Sequence, residues 1–159
     1  MTHHDKPPSQ CIPSMNVTHA DIYVAGVELD PAQVTSSLGI AGHWSHANGD
    51  TYIGRAWTGA ATIETYTQGV WHLYSHRYIT SRDPADHLRT LLALIYPLKT
   101  EWLRFVDSGF HTGIYVIHAR QRDESGYTID VDSLRQLAEL RMCVSITCTI
   151  IESHEEDAS

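Results

Sequence analysis

Three groups of side chains in this sequence have types and spacings that could do chemistry. The first lies among the chain's 11 histidines: His43 and His46 stand three apart, and Asp50 follows in the same segment. Two imidazoles and a carboxylate make a donor set for zinc or another divalent ion. Such a site needs its loop folded around the ion, and no second His-x-x-His or helical His-Glu-x-x-His supports it. Solvated loop histidines are the better reading, so neither a metal nor any other cofactor is expected.

The second group is His72, Tyr74, His76 and Tyr78. On a strand over 70–78 these alternate residues share one face, while Trp71 and Leu73 share the other. Trp71 and Leu73 make the natural core face. The His/Tyr stripe is then an exposed amphipathic surface, and three readings compete for it. It is a half-covered sheet face with buried rings, a partner-binding surface anchored by tyrosines, or a catalytic or metal face. The last needs a third ligand or an activated nucleophile. Glu64, on the neighbouring predicted strand, falls on the Trp71 side and is a poor candidate for it.

The third group is Cys11, Cys143 and Cys148, an odd number without Cys-x-x-Cys spacing. That argues against a disulfide framework and against a zinc ribbon. Cys11 sits in a polar N-terminal segment, and the other two read as small buried thiols of one apolar strand. No Gly-x-Ser-x-Gly elbow, phosphate-binding glycine loop, dinucleotide fingerprint or calcium loop occurs.

Composition narrows the classes further. The 159 residues, 42% of them hydrophobic, fit one domain with a sizeable core. A formal charge of −8 without a Lys/Arg run disfavours nucleic acid and would steer a basic partner toward the chain. No apolar run approaches membrane-spanning length, and the N-terminus lacks a signal-peptide pattern, so a cytoplasmic protein away from membranes is expected.

The positioning elements follow from caps and periodicity. Residues 1–16, with Pro7, Pro8 and Pro13, read as a flexible tail, 17–152 as one domain, and 153–159 as an acidic tail. A first strand over about 18–29 runs into Asp30-Pro31-Ala32-Gln33, a cap with proline at the first helical position, and Gly39 ends that helix. Residues 40–58 read as a long loop. A hairpin of 60–66 and 70–78 turns near Gln68-Gly69. Asp83-Pro84 opens a second helix with Leu88, Leu91, Leu92 and Ile95 inward, and Pro97 breaks it before a new stripe through Trp102 and Phe105. Strands over 111–120 and 126–129 come next. A third helix over 131–141 is capped by Asp130, with Leu134, Leu137 and Ala138 inward. In the last strand Val144, Ile146, Cys148 and Ile150 alternate with Ser145, Thr147 and Thr149, which predicts one buried face and one wet face. The sum is an α+β domain: a mostly antiparallel sheet with about three helices packed on one face. Leu29-Asp30 and Ile129-Asp130 echo one another, which two ferredoxin-like halves, or shared capping chemistry alone, would explain.

The ordered set Tyr23-x-x-Gly26-x-x-Leu29-Asp30-Pro31-x-x-Val34-Thr35-x-x-Leu38-Gly39-Ile40, Trp44-x-x-x-x-Gly49-Asp50, Gly69-x-Trp71-x-Leu73 and Asp86-His87-Leu88, with a closing helix–strand unit, resembles the bacterial domain-of-unknown-function family 4279 over about residues 20–151. The resemblance implies a small α+β domain and supplies no reaction, cofactor or catalytic residue. Some small families of this kind occur as immunity proteins beside secreted toxins. The leading expectation is therefore a non-enzymatic protein-binding domain, an immunity protein that neutralises a toxin through His72, Tyr74, His76, Tyr78 and Asp50. A small metal-dependent or histidine-based hydrolase and a small-ligand sensor are the alternatives.

Overall fold

The computed structural model describes residues 17–55, 59, 61–120 and 126–150. The two tails, and Cys11 with them, lie outside the described residues. The domain is organised around β1 (His19–Gly26), whose even-numbered residues Ala20, Ile22 and Val24 are buried and aliphatic. It pairs antiparallel with β5 (Gly69–Tyr74) on one side and β6 (His111–Arg120) on the other. The short β2 (Trp44–His46) extends the sheet antiparallel beyond β5, and β7 (Cys143–Ile150) extends it parallel beyond β6. The order is β2-β5-β1-β6-β7. A separate two-stranded arm pairs β3 (Thr51–Arg55) with β4 (Ala61–Thr65).

The described helices gather on one side of this sheet around a shared core, which makes the fold α+β with a mostly antiparallel sheet. Helix α1 (Pro31–Leu38) starts where Asp30 Oδ1 accepts the Ala32 amide at 2.9 Å, and ends at Gly39 with φ +66°. Helix α2 (Pro84–Ile95) repeats the entry with Asp83, and buries Leu88, Leu91, Leu92 and Ile95. Pro97 lies in a 3₁₀ turn, Tyr96–Leu98, that bends the chain into α3 (Lys99–Asp107). There Trp102 is fully buried and donates its indole N–H to the Leu140 carbonyl at 3.0 Å. Helix α4 (Val131–Glu139) is capped by both oxygens of Asp130. Leu88, Leu91, Trp102 and Leu137 close one core with Ile22, Val24, Trp71, Leu73, Ile114 and Val116. Trp71 and Leu73 thus face the core as their alternation requires.

Several expected pairings are corrected. The segment 60–66 does not form a hairpin with 70–78: β4 pairs with β3, taken from the expected long loop, and β5 pairs with β1 and β2. Gly69 serves close approach here. A Cβ there would stand 2.2 Å from the Leu29 carbonyl oxygen, so the glycine lets β5 start beside the end of β1. The strand runs only to Tyr74, where a 3₁₀ turn, Ser75–Arg77, takes over. Residues 126–129 are not a strand. The echo of Asp30 and Asp130 is confined to helix entry. The unit β6–α4–β7 is a parallel crossover, whereas β2 stands two places from β1 with β5 between them.

The largest correction concerns β7. Val144 and Ile146 lie in register with the buried Ile114 and Val116, on the helix side as expected, yet Val144, Ile146, Cys148 and Ile150 are all exposed. Helix α4 packs on α2 rather than over β7, so its Leu134 and Ala138 are exposed too and only Leu137 of the expected stripe is buried. Cys143 and Cys148 are exposed free thiols.

Candidate functional site: a ring-lined sheet face

The odd-numbered residues of the same central strand build the opposite face. His19, Asp21, Tyr23 and Ala25 alternate with the aliphatic core residues, so they share the side opposite the described helices. Register sets their neighbours: Tyr23 lies beside His72 of β5 and Gly113 of β6, and Asp21 beside Tyr74 and Tyr115. Trp44 of β2 lies beyond His72.

 The Trp44 ring stands 5.2 Å from His72, and Tyr23 stands 6.0 Å from it on the other side. Tyr23 also stacks on Tyr115 at 4.8 Å. That stack explains Gly113, because a Cβ there would come within 2.7 Å of the Tyr23 hydroxyl. Burial, then the neighbouring Tyr115, pushes the Tyr23 phenol up to about 12, so it stays a neutral hydrogen-bonding group at physiological pH.

Beneath these rings the floor is made of small residues, Ala25 and Val70. The result is an open recess of about 290 Å³ lined by Tyr23, Ala25, Gln68, Val70, His72, His111 and Tyr115. His72 is oriented within it. Its Nδ1 lies 3.2 Å from Asp21 Oδ1, and the two side chains are only 15% and 13% exposed. A carboxylate oxygen accepts, so this contact selects the tautomer with its proton on Nδ1, in which Nε2 carries the lone pair.

Of the residues expected from sequence, the structure brings His72, Tyr74, His76 and Tyr78 to one region but not as an exposed stripe. Tyr74 is 2% exposed, a correction to its expected role as a surface anchor. Its ring packs near-parallel to His43 and His76, at 6.0 and 5.4 Å. The Tyr74 amide donates to His43 Nδ1 at 2.9 Å, so His43 is a structural acceptor here. His76 lies in the 3₁₀ turn, half-buried, with Nδ1 enclosed and without a hydrogen-bond partner among the described residues. Tyr78 is 45% exposed beside His43. Asp50 closes a turn by accepting the Ala47 amide at 2.8 Å. His46 stacks on Tyr66 at 3.5 Å, and Tyr66 stacks on Tyr52 at 4.4 Å, which ties the β3–β4 arm to the sheet. Among the described residues, no group of three or more His, Cys, Asp or Glu side chains is placed to hold a metal ion.

Burial is the leading cause that lowers the imidazole pKa of His19, His43, His46 and His76. Arg77 adds to this at His43 and His76, while Asp21 and Asp50 oppose it at His19 and His46 respectively.

One further pair has the look of nucleophilic chemistry. The Ser75 hydroxyl donates to His87 Nδ1 at 2.8 Å, and His87 Nε2 donates to the Ser81 carbonyl at 2.8 Å. Ser75 is 0% exposed, however, and its oxygen already accepts the Ala20 amide at 2.8 Å. A sealed serine cannot meet a substrate; the pair pins the 3₁₀ turn to β1 and α2.

Asp21, Tyr23, Gln68, His111 and Tyr115 were not singled out as site residues from the sequence. A legible signal existed in β1, where His19, Asp21 and Tyr23 alternate with Ala20, Ile22 and Val24. The contribution of β6 depended on pairing that no local pattern reveals.

Fold and face together define a class: a small α+β domain with helices on one side of its sheet and an open, ring-lined surface on the other. The chain belongs to the family described as Domain of unknown function (DUF4279), whose model matches residues 16–149. No curated protein and no solved structure matches it. Among the described residues no helix is long and apolar enough to cross a membrane.

Proposed function

We propose that this chain is a non-enzymatic protein-binding domain, a cytoplasmic immunity protein that neutralises a cognate bacterial toxin by seating it on the ring-lined face of the sheet. One observation carries the reading. A sheet face left to solvent is ordinarily polar, yet this one presents Tyr23, Trp44, His72 and Tyr115 packed ring to ring. Aromatic side chains supply contact area at low entropic cost and anchor most protein interfaces. The formal charge of −8 favours a basic partner and would speed its encounter.

The experiment is co-expression with a candidate toxin, found by pull-down or from a neighbouring gene, followed by titration of the purified pair at two salt concentrations. Protection of growth is expected, with association slowing as salt rises. Tyr78→Ala and Tyr115→Ala, at exposed positions, should each weaken binding by about 1 kcal/mol or more. Stably folded variants that both bind like wild type would remove this face as the interface.

A further inference from the structure

The recess on the ring-lined face has a chemistry more specific than an aromatic patch. Its rings offer π surfaces: Tyr115 is 40% exposed where it stacks on Tyr23. His72, held by Asp21, offers a fixed acceptor in Nε2, which has no hydrogen-bond partner among the described residues. Neither lysine nor arginine is among the described residues lining the recess. The Asp21 carboxylate that holds His72 is mostly buried, and the chain's formal charge is −8. A phosphate or carboxylate would meet no lysine or arginine among the described lining residues and would sit close to Asp21. An ammonium carries charge but has no plane to lay against a ring.

We infer that the recess receives a guanidinium group, the head of an arginine side chain presented by the binding partner. A guanidinium is planar, stacks on aromatic faces, carries donors in its plane and is weakly hydrated for a cation. One N–H would donate to His72 Nε2 while the plane lies against Tyr115. The small floor residues Ala25 and Val70 leave the space in which it sits. This assignment rests on the protein-binding reading above and names the group that face would hold.

The test uses the full chain and small probes, without the partner. Nα-acetyl-arginine amide, its lysine counterpart and free arginine are titrated while the NMR resonances of Tyr23, His72 and Tyr115 are followed. The arginine amide should shift these resonances selectively, and the lysine amide should bind at least about tenfold more weakly. Ala25→Leu, which fills the recess from its floor, and Tyr115→Ala, which removes a wall, should each weaken the arginine amide at least about tenfold. Thermal melts establish that both variants are folded, and either one alone suffices for the test.

Equal binding of the lysine and arginine amides, or shifts that map elsewhere, would overturn the inference. Free arginine binding about tenfold tighter than its blocked amide would overturn the partner-borne source, in favour of a small metabolite. The two readings fail separately. If the probes ignore the recess while Tyr78→Ala and Tyr115→Ala still weaken the toxin complex, the interface stands and the guanidinium assignment falls. If the arginine amide binds as expected but neither variant affects the toxin, the recess stands and the interface falls.

Discussion

The two faces of β1, β5 and β6 come from the same residues read alternately, and they differ in almost every physical respect. On the helix side, Ile22, Val24, Trp71, Leu73, Ile114 and Val116 are closed into a core with hardly a polar atom to satisfy. On the other side, Asp21, Tyr23, His72, Tyr74 and Tyr115 pack as rings and hydrogen-bonding groups, and His46 and His76 each keep an enclosed Nδ1 without a hydrogen-bond partner among the described residues. The first face spends its side chains on stability. The second holds polar groups under partial burial, which costs stability and makes sense where something else is to be bound. Period-two alternation lets one strand serve both ends without compromise in either.

The sharpest way to break this contrast is Trp71→Ala. The side chain is fully buried and its indole N–H donates to Thr35 Oγ1 at 3.1 Å. Truncation should cost about 3–5 kcal/mol, read as a large fall in the chemical-denaturation midpoint. A midpoint close to wild type would mean that the helix side is not where stability resides.

Acid should act through the ring-lined side. His19, His43, His46 and His76 have pKa values lowered in the folded state relative to 6.5. As pH falls through about 6.5 the unfolded chain takes up protons that the folded chain refuses, so stability drops. Above about pH 7.5 all four are neutral in both states and contribute no slope. Urea midpoints at pH 7.5 and 5.5 check this: the lower pH should give the lower midpoint, and an unchanged or higher one would contradict it.

The smallest effect is expected where helix-side residues lack a helix. Ile146 and Val116 are register partners on one face, but Ile146 is 49% exposed and Val116 fully buried. Ile146→Thr should change stability by no more than about 0.5 kcal/mol, whereas Val116→Thr buries a hydroxyl and should cost about 1–3 kcal/mol. Equal losses in paired denaturation curves would show that β7 is covered in solution.

That pair also marks the limit of what the sequence disclosed. Helix entries were legible because Asp30, Asp83 and Asp130 act on amides two or three residues away, and the bend at Pro97 is equally local. Alternation correctly assigned Val144 and Ile146 to the helix side, but whether a helix lies over them depends on α4 settling against α2. The pairing of Gly69 with Gly26, and of Tyr23 with Gly113, is a long-range choice that no window of residues contains. For the site, His72 was recognised because its own strand announced it. The Asp21 that orients it lies 51 positions away and became a partner only once β1 and β5 were side by side.

The central place of β1 has a consequence for how the chain is made. The strand leaves the ribosome well before β6, one of its two flanks, and the Thr18 hydroxyl donates to the Ala119 carbonyl 101 positions later. At about 5–20 residues per second, roughly 5–20 s separate the appearance of those two partners. Through that interval β1 exposes both an aliphatic and an aromatic side with at least one edge unpaired, so the nascent chain passes through a long window in which the strand that orders the whole sheet is its most adhesive segment.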